Sequence, residues 1–274
     1  MTIALLSILV AFSVSYLSDA VGESRYQETL EEMRAIRDAL VGDPQAAMRG
    51  GASSGIGATA GSAAGGSGSY RFGYAGDMGG LPSVASISDL VGALLVAPGG
   101  SSWQANAVVR FGLGWNGPYL IKKSDSDDFT LDAWGSDYLY DFSGEPVILK
   151  SLGANLELGG TGLDSDLSLD IPSALIKGTV HGVILNGGAP WSGLAQIEIN
   201  YPDGDGVLVS PTVVFDMDTD HGGAFSFDDI PLGMRSVKIY VPSIAAPTQT
   251  VGPAVFTMDR ANFVIPPRLL DLTP

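Results

Sequence analysis

Hydrophobic and polar positions divide the chain into stretches of different texture. Residues 1–18, MTIALLSILVAFSVSYLS, carry no charge. At about 1.5 Å of rise per helical residue they cover about 27 Å, close to the hydrocarbon thickness of a bilayer. From Asp19 the run becomes charged. Tyr26, Leu30, Met33, Ile36 and Leu40 then recur at spacings of three and four, while Glu28, Glu31, Glu32, Arg34 and Arg37 fall mostly off that stripe. The spacing predicts one continuous helix that stops at Gly42, just before Asp43-Pro44, because glycine suits a left-handed C-terminal position and the residue before proline leaves the α region. A secretory signal peptide would place basic residues before the apolar run and a small-residue cleavage site after it, and neither is present. A core helix apolar on every face over such a length would be unusually long. A helix of about forty residues measures about 60 Å, so half of it should project from any globular body.

Arg49 to Ser69, RGGASSGIGATAGSAAGGSGS, has no periodicity and reads as a flexible linker, with O-linked sugar or ordering by neighbouring subunits as the alternatives. Tyr70 to about Ile171 follows as a compact region. Within it Ile87 to Val96 reads as a short helix or apolar turn, and Asp137–Phe142 and Pro146–Ser151 as short strands. From about Ser173 the texture changes again. AQIEINY, TVVFDMD, AFSFDDI and RSVKIYV alternate between apolar and polar, separated by PDGDG, DHGG and PLG, the pattern of an all-β sandwich with tight turns.

Charge and composition narrow the chemistry. The 274 residues carry a formal net charge of −16 and no cysteine, which argues against nucleic acid and anionic lipid as partners and excludes disulfides and thiolate metal sites. Two histidines, His181 and His221, cannot make a His-rich zinc site, and no serine or cysteine signature accompanies them. Clusters such as Asp125, Asp127 and Asp128 carry little information in so acidic a chain. Asp216, Asp218 and Asp220 have the one-three-five spacing of a calcium loop. Gly222 comes one residue late, however, and Phe227 stands where the twelfth-position glutamate belongs, so a polar hairpin turn is the better reading there and at Asp203 and Asp205. Trp103, Trp115, Trp134 and Trp191 invite a carbohydrate reading, but Trp115 and Trp134 are expected in the core.

Several ordered motifs carry a resemblance. The start, with Thr2, Ile3, Leu6, Val10 and Ala11, is similar to the mature N-terminus of type IV pilins and type II secretion pseudopilins, although Met1 replaces the usual phenylalanine and Leu5 the usual glutamate. GWNGPYLIKK (114–123), DAWGSDYLYDF (132–142) and SLGANLELGGTGLDSDL (151–167) resemble phrases of the major pseudopilins. IKGTV, GGAPWSGLAQIEI and HGGAFSFDDIPLGMRSVKIYV resemble the carboxypeptidase-regulatory-like, or transthyretin-like, β-sandwich.

The resemblance implies an α+β chain: a pilin-type helix over 1–43, a linker over 44–69, a small pseudopilin-like α/β domain over 70–172 and a β-sandwich over 173–274. It also implies a filament core built from Met1, Leu5, Leu6, Leu9, Val10, Phe12 and Leu17, and local melting near Gly22 once assembled. In that family the loop binds calcium, which here would fall to Asn155 (where the family usually has Asp) and Asp166, with Asp164 as a neighbour and carbonyls from Leu152 and Thr161. Met1 at the first position implies a chain already processed.

The expected function is structural and non-enzymatic. The chain would be the subunit of a helical homo-oligomer that forms an extracellular type IV pilus-like filament for adhesion or surface contact. It would sit in the inner membrane before assembly and be handled by pilus or secretion machinery. One alternative is the major pseudopilin of a periplasmic pseudopilus; another is a monomeric, membrane-anchored glycan-binding protein.

Overall fold

The computed structural model describes residues 2–42, 72–84, 86–98, 102–120, 122, 128–216 and 222–273, with the backbone alone over 2–16 and at 18 and 216. The expected linker lies outside the described residues, as do Met1, Asp125, Asp127, Asp218, Asp220 and His221 and the side chains of Leu5, Leu6, Leu9, Val10 and Phe12. The helices are α1 (Thr2–Val41), α2 (Gly73–Met78) and α3 (Ile87–Leu95). The strands are β1 (Gln104–Asn106), β2 (Phe111–Leu113), β3 (Leu139–Asp141), β4 (Val147–Ser151), β5 (Leu167–Ile171), β6 (Lys177–Val183), β7 (Leu185–Asn186), β8 (Ala189–Pro190), β9 (Leu194–Pro202), β10 (Leu208–Val209), β11 (Thr212–Asp216), β12 (Ala224–Pro231), β13 (Gly233–Val241), β14 (Gln249–Met258) and β15 (Asn262–Val264). The chain is α+β.

α1 is continuous, as the stripe predicts. Met33, Ile36 and Leu40 are fully buried, and Gly42 closes the helix at φ 81° with its amide on Asp38 O at 2.8 Å. Among the described residues, no helix is long and apolar enough to cross a membrane. The side chains that matter most to that question, those of residues 2–16, lie outside the described set. At α3, Ser86 acts as the N-cap: its Oγ accepts the Asp89 amide at 3.1 Å and donates to Asp89 Oδ2 at 2.7 Å.

The chain divides into two compact units. The first holds residues 1–37, 84–91 and 122–171; the second holds 38–83, 92–121 and 172–274. In the first unit β3, β4 and β5 form an antiparallel sheet in that order. Val147 and Leu149 alternate inward along β4, and Leu167 and Ile171 do so on β5.

In the second unit β9, β13 and β14 pair in order, with β10 and β11 both on the free side of β9, and a second sheet runs β12-β6-β15. Strand β15 is parallel to β6. Side chains of both sheets, among them Val180, Ile197, Phe225, Phe227, Val237, Ile239 and Phe256, form one apolar core. The β1–β2 hairpin and α2 belong to this unit as well.

The turn PDGDG also has a packing role. Gly204 and Gly206 both donate their amides to Met78 O, at 2.7 and 3.0 Å, and so cap the end of α2. Asp203 Oδ1 holds the turn by accepting the Asp205 and Val207 amides. Gly79 (φ 93°) lies so close to this turn that a Cβ would stand 1.9 Å from Pro202 O, so only glycine fits there.

Candidate functional site

The first unit is organised by hydrogen bonds that run from α1 to the loop 152–166. Asp132, which opens DAWGSDY, is buried; its Oδ1 accepts the Trp134 and Ser136 amides at 3.0 and 2.9 Å, and its Oδ2 accepts the Ser151 hydroxyl at 2.6 Å. Ser151 Oγ in turn accepts the Gly153 amide at 3.2 Å. Fully buried Thr29, on α1, accepts the Ala133 amide through its hydroxyl at 3.2 Å. Tyr138 donates to Glu32 Oε2 at 2.8 Å, and burial, with that carboxylate beside it, pushes its phenol far above the ordinary range. The motif therefore acts as a knot between helix, sheet and loop.

Loop 152–166 brings two of the expected calcium residues together and leaves a third outside. Asn155 Nδ2 donates to Gly159 O at 3.4 Å, and the Gly159 amide donates to Asp166 Oδ1 at 2.9 Å, so both side chains bond the backbone of one residue, Gly159. Asn155 Oδ1 accepts the Glu157 amide at 3.1 Å. Asp166 Oδ2 meets Lys150 Nζ at 3.4 Å. Asp164 lies in a short 3-10 turn, Gly162–Asp164, with its amide on Thr161 O at 3.2 Å and its side chain exposed. Among the described residues no group of three or more His, Cys, Asp or Glu side chains gathers as a metal would need. Any hard cation here would rely on Asp166, the Asn155 amide oxygen and backbone carbonyls.

A groove of ≈740 Å³ lies between α1 and this loop region, lined by Leu17, Asp19, Val21, Gly22, Arg25, Trp134, Ala154, Leu163 and Asp164. Leu163 closes one end against Gly22: a Cβ on Gly22 would stand 2.5 Å from Leu163 Cδ1. The glycine that looks like a helix breaker in sequence lies inside an unbroken helix here and makes room for a leucine. Leu17, an expected filament contact, lines the groove and is 65 % exposed. Trp134, expected in the core, is only half-buried because it lines the groove, so that expectation is corrected. Trp115 is likewise half-buried, its indole N–H donating to Ala93 O at 2.9 Å.

A second polar cluster, in the second unit, went unread in the sequence. Tyr119 donates to Asp77 Oδ2 at 2.9 Å and accepts the Asn116 amide at 3.0 Å. Burial raises the Asp77 carboxyl to about 8, with Tyr119 and Arg235 pulling it down. Arg235 is buried and donates to the carbonyls of Pro231, Met234, Gly76 and Leu232. Desolvation lowers its guanidinium to about 9. Three residues so far apart in sequence give no local signal. The Ser151 hydroxyl and the Asp132 carboxylate are both buried and bonded to backbone amides as well as to each other, and His181 sits on β6.

The model of the family described as "Type II secretion system (T2SS), protein G" matches residues 103–170. That stretch runs from β1 to β5, contains Asp132, Tyr138, Ser151 and loop 152–166 but not Thr29 or Glu32 of α1, and covers well under half of the chain. No curated protein and no solved structure matches the chain.

Proposed function

We propose that this chain is a non-enzymatic, pseudopilin-like structural subunit that polymerises through α1. The match over 103–170 carries the reading; it covers Asp132 and Ser151 as well as Ala133 and Tyr138, which donate to Thr29 and Glu32 of α1. It favours a secretion pseudopilus, made with the secretion machinery and periplasmic, over the surface fibre expected from the sequence. The bulk of the second unit, with its two sheets of the kind found in β-sandwiches, is what speaks for the fibre. Before assembly α1 would rest in the inner membrane, and Leu5, Leu6, Leu9, Val10 and Phe12 would pack in the filament core. Calcium would be held by Asn155, Asp166 and the Leu152 and Thr161 carbonyls, tightening the loop; Lys150 would have to release Asp166.

Leu9→Lys in cells expressing the full chain tests the assembly. The expected result is loss of sheared or membrane-associated filaments with both units still folded. Filaments that persist with lysine in their core would overturn the reading. Calcium is tested separately: at millimolar metal the melting midpoint of the first unit should rise, and Asp166→Ala should abolish the rise.

A further inference from the structure

Two surfaces of the chain complement each other. The α1 groove offers Leu17 and Val21, 65 % and 46 % exposed, with Trp134, Asp19, Asp164 and one cation, Arg25, also in its lining. It is apolar, with an acidic excess. In the second unit, the β1–β2 hairpin ends in a turn at 107–110 with the opposite character. Val108 there is 66 % exposed, and Arg110 takes φ 63°, a left-handed conformation that penalises any residue with a Cβ. The turn is well tied: Asn106 Oδ1 accepts the Val108 and Val109 amides at 2.9 and 3.4 Å, and the Arg110 amide donates to Asn106 O at 2.8 Å. Glycine would occupy position 110 without strain. Among the described residues Arg110 forms no ion pair that would explain an arginine there. Strain held at an exposed side chain with no partner among the described residues leaves that side chain available for an outward contact.

We propose that this hairpin tip docks into the α1 groove of a second copy of the chain. Val108 covers the Leu17–Val21 wall, and Arg110 lies over the Trp134 ring between Asp19 and Asp164. Charge complementarity favours a second copy as the occupant. In a chain of net charge −16, copies repel over most of their surfaces, so a contact that sets one of the few basic residues against acidic ones is favoured. The hairpin tip and the groove are different surfaces, so the contact is heterologous and can propagate along an open polymer. The inference rests on the filament reading and gives it a specific lateral contact.

The absence of cysteine from the chain provides a clean test. Val21→Cys and Val108→Cys, combined in the full-length chain and oxidised mildly in filament-containing fractions, should give a ladder of covalent dimers, trimers and longer species. Neither single variant should give it. Filaments of wild-type appearance without a ladder, or crosslinking that stops at the monomer or the dimer, overturn the docking but leave the subunit reading standing. Absence of filaments from the unaltered chain overturns both. Arg110→Gly serves as the second variant. It relieves the turn, so the melting midpoint of the soluble units should rise while filament yield falls about tenfold. A yield equal to wild type overturns the proposal.

Discussion

The two compact units are stabilised in different ways. The second has long strands, nine residues each in β9 and β13 and ten in β14, and one apolar core shared between two sheets. The first has strands of three, five and five residues, and its loops are held by a relay of side-chain hydrogen bonds through Thr29, Asp132 and Ser151. Apolar burial is non-directional and tolerates substitution, whereas a buried polar relay fails when one member is lost. The stretch that matches a known family contains Asp132 and Ser151 of that relay, residues whose job is geometric, while Thr29 on α1 lies outside it.

The largest expected effect inverts this contrast, because the second unit also contains one polar element on which much depends. Arg235→Ala leaves the Gly76, Pro231, Leu232 and Met234 carbonyls without their buried donor and should cost about 4 kcal/mol. Arg235→Lys should rescue only part of this, since an ammonium cannot reproduce the planar fork. Urea unfolding followed by two probes, one in each unit, should show the loss in the second unit alone. A loss spread equally over both would mean that the units unfold as one.

Asp132→Ala comes next, at about 3 kcal/mol in the first unit, because two amides and a hydroxyl lose their buried acceptor together. Asp132→Asn keeps one acceptor oxygen and should recover about half. Amide exchange over 132–136 and 152–166 is the direct measurement. If only 132–136 loses protection, the proposed tie from Asp132 through Ser151 to the loop is wrong.

The elements were legible where periodicity or turn chemistry spoke for them. The α1 stripe gave both the helix and its end at Gly42, and β9, β12 and β13 lie on the alternating runs that announced them. The phrase DAWGSDY was visible as a motif, but its physics was not, since Asp132 acts on Ser151 nineteen residues away. Asn155 and Asp166 were legible as a pair because they share one loop. The partners Asp77, Tyr119 and Arg235, by contrast, were brought together only by the fold, from α2, the segment after β2 and β13. Trp134 read as core because aromatics usually are; what it does in the structure is line one side of a groove. Gly22 read as a helix-breaker position, and the fold adds a packing role, since a Cβ there would meet Leu163.

The smallest effect separates the units by pH. Burial raises the Asp77 carboxyl from 3.8 to about 8 in the folded chain, whereas the unfolded chain titrates near 3.8, so between these values the folded state holds a proton that the unfolded state releases. Its contribution is therefore complete below about pH 4 and is lost as pH rises through about 8. The groups facing it are Tyr119 and Arg235. The Asp77 side chain is only partly buried, and solvent screening holds the loss between these limits to about 2 kcal/mol. In the first unit the shifted carboxylates move the other way. Hydrogen bonds from Thr130 to Asp128, and from Ser143 to Asp141, hold both below the usual range, so their contribution is present above about pH 4 and is lost only in acid. Asp271 gives the second unit an acid limb of the same kind. Between about pH 5 and 8, then, the melting midpoint of the second unit should fall with rising pH while that of the first stays level. Asp77→Asn should flatten the slope, and a slope that survives the substitution would locate the titrating group elsewhere.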